Sequence, residues 1–232
     1  MLLASGEPAQ AAELLLGALE LAPQWAAGWF RLGEMQEAAR FPDQAAQAWA
    51  MALKLDPADR LGSALKSPGR FRLALDLGCG TGLMGERLRP IVDRLEGYDI
   101  SSSMLRKARA KGIYDKLSKS DLQHFSRPGS KADLVVAADV FIYVGALERI
   151  VGAVADSLVD EGLFAFSVET LAGGDDFALL PSRRYAHSVA YVRRVLADSG
   201  FAILSLESTT IRHDRGEPVG GLAVIARRKP AE

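Results

Sequence analysis

The chemistry-bearing residues of this chain gather around one stretch, Leu73–Gly82. Its apolar run, Leu73–Leu77, carries Asp76 near its end. Glycines then fall at alternate positions, Gly78, Gly80 and Gly82, with Cys79 between the first two, and a helix-like run starts at Leu83. Strand, glycine loop and helix form a device for holding a polar cofactor against bare backbone. A Cβ would block the approach, and such loops need φ > 0. Further acids recur near the ends of predicted strands: Asp99, Asp121, Asp139 and Glu169. A carboxylate there can accept hydrogen bonds from hydroxyls or amines, or face a cation. Ligands of open α/β sheets bind beyond the carboxyl ends of the strands, so these acids are predicted to share a crevice. Tyr185 and His187 lie beyond the fifth predicted strand, and the unperturbed pKa of a histidine suits general-base work near neutrality.

Two cofactor classes use such a loop. Gly80, Gly82 and Gly85 satisfy the G-x-G-x-x-G spacing of dinucleotide folds, in which a helix N-terminus faces a pyrophosphate. The strand is predicted to end at Leu77, so that pattern begins two or three residues late. The earlier string from Asp76, DLGCGTG, resembles motif I of the class I S-adenosylmethionine (SAM) methyltransferases. Asp99, 17 residues past Gly82, suits a ribose in either class. The run Ile100-Ser-Ser-Ser-Met104-Leu105 looks like the methyltransferase pattern that follows the second strand, with Ser101 or Ser102 capping a helix that ends at Lys111–Gly112.

The resemblance implies a set of cofactor residues: Asp76, Gly78, Cys79, Gly80 and Gly82 in the loop, Asp99 and Ile100 at the ribose, and Met104 near the adenine. It gives Asp121 the adenine amino group and Leu122 an adjacent backbone contact. Ala138 and Asp139 would lie at the mouth of the fourth strand, beside the methionine end of SAM. Phe141 and Tyr143 could wall the same cavity. S-adenosylhomocysteine would be the product.

The elements that must position these residues alternate between strand and helix. Strands are predicted at Leu73–Leu77, Arg94–Ile100, Leu117–Ser120, from Asp133, at Gly162–Val168, Gly200–Leu206 and Leu222–Ala226, with a helix at Leu147–Leu158. The near-continuous apolar run from Asp133 suits a parallel strand covered on both faces. This is an α/β pattern, and the resemblance makes it a Rossmann-like class I methyltransferase sheet with helices on both faces and an antiparallel terminal strand pair. The Arg183–His187 region, with the ADVFIYVG and FSVE segments, is similar to methyltransferases that also contain tetratricopeptide (TPR) repeats.

The first sixty residues carry that second feature. Pro23 and Pro57 stand 34 residues apart, the TPR period, and Ala11/Ala45, Leu15/Trp49 and Ala18/Ala52 share the offset. Trp29, Leu32 and Gly33 occupy the W-x-x-L-G places. The segment resembles one TPR, Gln24–Pro57, preceded by half of another. Because about three repeats are needed for a free-standing solenoid, it must pack on the catalytic domain, self-associate or receive a protein partner. The predicted organisation is therefore a TPR-like segment at 1–60, a linker at 61–70 and a methyltransferase domain at 71–232. Related enzymes carry helices over the SAM pocket before motif I. Only 13 residues separate Pro57 from Phe71, so either the lid is lacking or a stretch of chain is missing there. An uncovered pocket would admit water over the reacting centre, which favours the second.

Composition narrows the remaining classes. With 28 basic and 29 acidic residues the net charge is -1, which gives no general argument for nucleic acid. A lone cysteine excludes an internal disulfide and a multi-cysteine metal site, and no metal is expected. No signal peptide or membrane-length apolar run is evident, so a cytoplasmic protein is expected. The reading is a SAM-dependent methyltransferase acting on a small-molecule or protein acceptor. His187 is its preferred base, Tyr185 walls the pocket and Asp139 orients the acceptor. A TPR adaptor that binds SAM without turnover and an NAD-dependent oxidoreductase are the alternatives.

Overall fold

The computed structural model describes residues 8–21, 29, 32, 36, 44, 71–214 and 217–230. The linker and most of the predicted repeat lie outside the described residues. The chain divides into two compact units, Met1–Arg60 and Leu61–Glu232. In the first, α1 (Pro8–Leu21) packs Ala12, Leu15 and Leu19 with Trp29 and Leu32. The spacing of the α1 residues places them on one helical face.

The second unit is built on a mixed sheet. Four parallel pairings join β1 (Phe71–Leu77), β2 (Val92–Asp99), β3 (Lys116–Lys119), β4 (Ala132–Ala137) and β5 (Leu158–Thr170) in the order β3-β2-β1-β4-β5. The order reverses between β1 and β4, which opens a crevice at their carboxyl ends. Between the strands run α2 (Leu83–Leu88), α3 (Ser102–Ala110), α4 (Glu148–Ser157) and, later, α5 (Val189–Asp198). Side chains alternate across the sheet. Leu73, Leu75, Leu77, Val135, Ala137, Phe164 and Phe166 face one core with residues of α4 and α5. Ala74, Leu134, Val136 and Ala165 face the other with Leu88 of α2. Burial on both faces explains why the inner parts of these strands read as near-continuous apolar runs.

The last two strands, β8 (Phe201–Asp214) and β9 (Glu217–Arg228), form a long hairpin whose second arm lies antiparallel to β5. Both run well past the predicted Gly200–Leu206 and Leu222–Ala226, because backbone pairing carries their polar ends. Strand β5 also begins earlier than predicted. Positive φ at Glu161 accompanies a register shift against β4, so Asp160-Glu161-Gly162 forms an irregularity inside the strand rather than its start.

Sequence reasoning placed Arg183–Ser188 in a connection. It instead contains a short hairpin, β6 (Phe177–Leu179) with β7 (Tyr185–His187). Glu169 of β5 pairs with Gly221 of β9 and with Ala186 of β7. Those two strands therefore occupy opposite edges of β5, and the hairpin continues the β4 edge beyond the end of β4.

Candidate functional site

The glycine loop follows β1 and is folded almost wholly onto its own strands. The Gly78 and Cys79 amides both donate to the Tyr98 carbonyl, at 2.7 and 3.0 Å, and the Gly82 amide donates to Cys79 O. The Gly80 amide donates to Asp99 Oδ2 at 2.9 Å. Gly78, Gly80 and Gly82 all have positive φ, the conformation that selects glycine. Their environments differ. A Cβ on Gly78 would collide with Val140, whereas one on Gly80 would meet nothing closer than Gly78 O at 3.9 Å. Gly80 is thus the point where the loop lies open to a ligand.

Asp99 is placed by the end of β2. One carboxylate oxygen holds the Gly80 amide and the other accepts from the Ser101 amide at 2.7 Å. Each oxygen keeps acceptor capacity for a ribose hydroxyl. Beside it, Ile100 is 62% exposed and Met104, in the first turn of α3, is 38% exposed. Ser101 is the cap of that helix, accepting from the Met104 amide. Two large apolar side chains in water beside an acid suit an apolar ring carrying polar substituents, as in a nucleoside. Asp121 follows β3, where its carboxylate accepts from the Gln123 amide and meets His124. Leu122 is buried.

Asp76 is 1% exposed, and Tyr114 donates its phenol proton to Oδ2 at 2.6 Å. Burial, with a smaller push from Asp99, raises this carboxyl to about 6 against the lowering effect of Tyr114. Cys79 is buried and its thiol is pushed up to about 12, chiefly by burial and then by Asp76 and Asp99. It is a packing residue, without the thiolate character of a nucleophile.

On the acceptor side, Asp139 is exposed two residues beyond β4, with φ of 52°, and its amide donates to Ser167 Oγ of β5. Tyr143 is exposed nearby in sequence, whereas Phe141 is buried among Phe164 and Phe166. Tyr185 is half-buried against Phe177. His187 is 0% exposed. Its Nε2 lies 3.0 and 2.8 Å from the carbonyls of Val144 and Gly145, so that nitrogen carries the proton. Nδ1 is buried without a hydrogen-bond partner among the described residues. Burial lowers the ring's pKa despite the two carbonyls. This corrects the expectation that His187 stands open to an acceptor beside Asp139. The ring packs against Phe177 and Tyr191, and its Nε2 fastens β7 to the loop after β4.

That loop has further ties that sequence reasoning missed. Tyr191 Oη donates to Glu148 at 2.8 Å and accepts from the Leu147 amide at 2.7 Å. Gly145 leaves room for Phe177 and Tyr185, either of which a Cβ would meet at 2.9 Å. Tyr114 was also missed. Its neighbours in sequence form no motif, and only the folded sheet carries its ring to Asp76. Among the described residues, no group of three or more His, Cys, Asp and Glu side chains could hold a metal ion.

In this loop the amides of Gly78, Cys79, Gly80 and Gly82 are already donated inward. The class I SAM-dependent methyltransferases, and not the dinucleotide alternative, are the class that the family and structural matches define. Residues 45–206 match the family described as Methyltransferase domain, and the chain belongs to that family. It is 30% identical over 159 residues to magnesium-protoporphyrin O-methyltransferase of Synechocystis, covering 60% of this chain and 67% of that one. The structure of that enzyme with bound S-adenosylhomocysteine aligns with a TM-score of 0.59 at 23% identity, covering 75% and 82% of the two chains. A SAM-dependent methyltransferase from Mesorhizobium loti aligns with a TM-score of 0.60 at 25% identity, over 74% of this chain and 98% of that one. Human methyltransferase-like protein 27 is 39% identical over 90 residues, 38% of this chain, and the match spans only 35% of its length. The methyl donor of the class is SAM. The open face at Gly80, the Asp99 carboxylate and the exposed Ile100 and Met104 fit it.

Proposed function

We propose that this protein transfers a methyl group from SAM to an amine or hydroxyl of an acceptor held beyond the carboxyl ends of β4 and β5. The observation that carries this is the inward-folded glycine loop tied to Asp99, which leaves Gly80 as an open floor. SAM supplies an electrophilic methyl on a cationic sulfonium. The residues of this chain bind, orient and exclude water. Asp99 receives the ribose, Ile100 and Met104 flank the adenine, and Asp121 and Leu122 close that end. Ala138 and Asp139 lie at the methionine end. Positioning of this kind is worth about 7–11 kcal/mol when geometry is enforced.

On the acceptor side, the exposed carboxylate of Asp139 favours an acceptor with an N–H or O–H to donate, and Tyr185 and Tyr143 offer aromatic walls. His187 acts through the loop it holds and not as a base. The Synechocystis relative methylates an oxygen, as its name states, so magnesium-protoporphyrin belongs in the acceptor panel. The first unit is proposed to be TPR-like, supported by the 34-residue offset and by Trp29 and Leu32 packing with α1. Such a segment would serve association with a partner or a second copy.

The test is separate calorimetric titration with S-adenosylhomocysteine and with NAD, then methyl transfer from labelled SAM across amines, hydroxyls and magnesium-protoporphyrin. Binding of S-adenosylhomocysteine but not NAD is expected. Asp99→Ala should weaken it by about 1.5–3 kcal/mol through loss of charge-assisted bonds. Unchanged affinity in a folded Asp99→Ala variant would remove the ribose assignment. Tight cofactor binding without product from any acceptor would favour a non-catalytic adaptor.

A further inference from the structure

Asp76 and Gly97 are register partners on adjacent strands. Tyr114, in the segment entering β3, lays its ring across them. A Cβ on Gly97 would meet the ring at 2.9 Å, and one on Gly82 would meet it at 3.1 Å. A Cβ on Gly85 would run into the phenol oxygen itself. Three glycines, on β2, at the loop end and in α2, therefore make the slot for one tyrosine. The phenol donates to Asp76 Oδ2 at 2.6 Å and lies within hydrogen-bonding reach of the Gly85 amide. That amide belongs to the first turn of α2, whose cap residue Gly82 has no side chain to satisfy it. The base of Tyr114 is also fixed. Asp115 accepts from Arg89 and from the Leu95 amide, and Arg89 reaches Ile113 O as well.

We infer that Tyr114 is a positioning residue for the cofactor. Its hydroxyl ties the end of β1 to the start of α2 across the glycine loop, and so fixes the loop in the shape that receives SAM. Gly85 then serves Tyr114, which explains why the third glycine of an apparent dinucleotide pattern is present in a site with no pyrophosphate. The inference rests on the SAM reading, and the experiment separates the two.

The experiment titrates S-adenosylhomocysteine alone into the full chain, into Tyr114→Phe, into Asp76→Asn and into the double variant, with apo melting temperatures measured alongside. Tyr114→Phe keeps the ring in its slot and removes only the hydroxyl. Its dissociation constant is expected to rise by roughly tenfold, the size of one hydrogen bond to a carboxylate. The double variant should bind no more weakly than Asp76→Asn, because the two side chains act as one unit. A lower melting temperature or a smaller binding-competent fraction with an unchanged dissociation constant would mean that Tyr114 is structural only, and would overturn the inference. Fully additive losses in the double variant would overturn it too. Failure of the unmodified chain to bind S-adenosylhomocysteine would instead defeat the SAM reading itself.

Discussion

Asp76 illustrates a residue kept at the expense of stability. Burial and the neighbouring Asp99 raise its carboxyl from 3.8 to about 6 against the Tyr114 bond, with the buried Cys79 thiol close by. Between those two values the folded chain holds a proton that the unfolded chain has released. The contribution to stability is therefore complete below about pH 4 and is lost as pH climbs through about 6. At neutral pH the apo protein carries a buried carboxylate it would be more stable without. Asp76→Asn is expected to raise the apo melting temperature at about pH 7.5, by on the order of 2 kcal/mol in stability, with the advantage shrinking toward pH 4. The same variant should bind S-adenosylhomocysteine less tightly. Melting curves across that range check the sign, and an advantage that grew at acid pH would refute it. The motif made Asp76 visible in the sequence. Its partner was not visible, because Tyr114 lies 38 residues away and reaches it only through parallel strand pairing.

At the scale of elements, the acceptor face is shaped by a hairpin that the sequence hid. Strands β6 and β7 have three residues each, too short for an alternating pattern to show, whereas β1 and β4 are buried on both faces and announce themselves as largely apolar runs. The acids at strand ends were legible because each falls where a predicted strand stops. The role of His187 was not legible, because a histidine beyond a strand end looks the same whether it faces a ligand or a carbonyl. Here it joins β7 to Val144 and Gly145 while Tyr191 holds Leu147 and Glu148. His187→Ala removes a buried ring and leaves two carbonyls short of a donor. The expected cost is roughly 2–4 kcal/mol of stability. Its neutral buried form also means that stability from this site is present above about pH 6.5 and is lost as acid drives the ring to protonate. A variant with unchanged melting temperature and turnover reduced by roughly 10²–10⁴ would restore the general-base role.

At the scale of the whole molecule, every residue placed at the cofactor belongs to the unit Leu61–Glu232, and the first unit has its own small core. The family match nevertheless begins at residue 45, inside the first unit. Two boundaries thus compete, one drawn by compactness and one by kinship. The 34-residue offset of the N-terminal segment was legible because it needs only residue spacing. Whether the cofactor unit needs residues 45–60 was not, since residue spacing does not report it. Two truncations decide between them, one beginning at residue 45 and one at residue 61. Because the sheet, both of its cores and the glycine loop lie beyond residue 61, the shorter fragment is expected to fold. It should bind S-adenosylhomocysteine within a few-fold of the full chain, a difference below about 1 kcal/mol. Calorimetry with a melting curve on each fragment provides the measurement. Equal affinity in both would make residues 1–60 a separate unit concerned with association, to be followed by comparing the oligomeric state of the full chain with that of the fragment. A fragment from residue 61 that folds but loses the cofactor, while the one from residue 45 retains it, would show that cofactor binding needs residues 45–60 and that kinship draws the truer boundary.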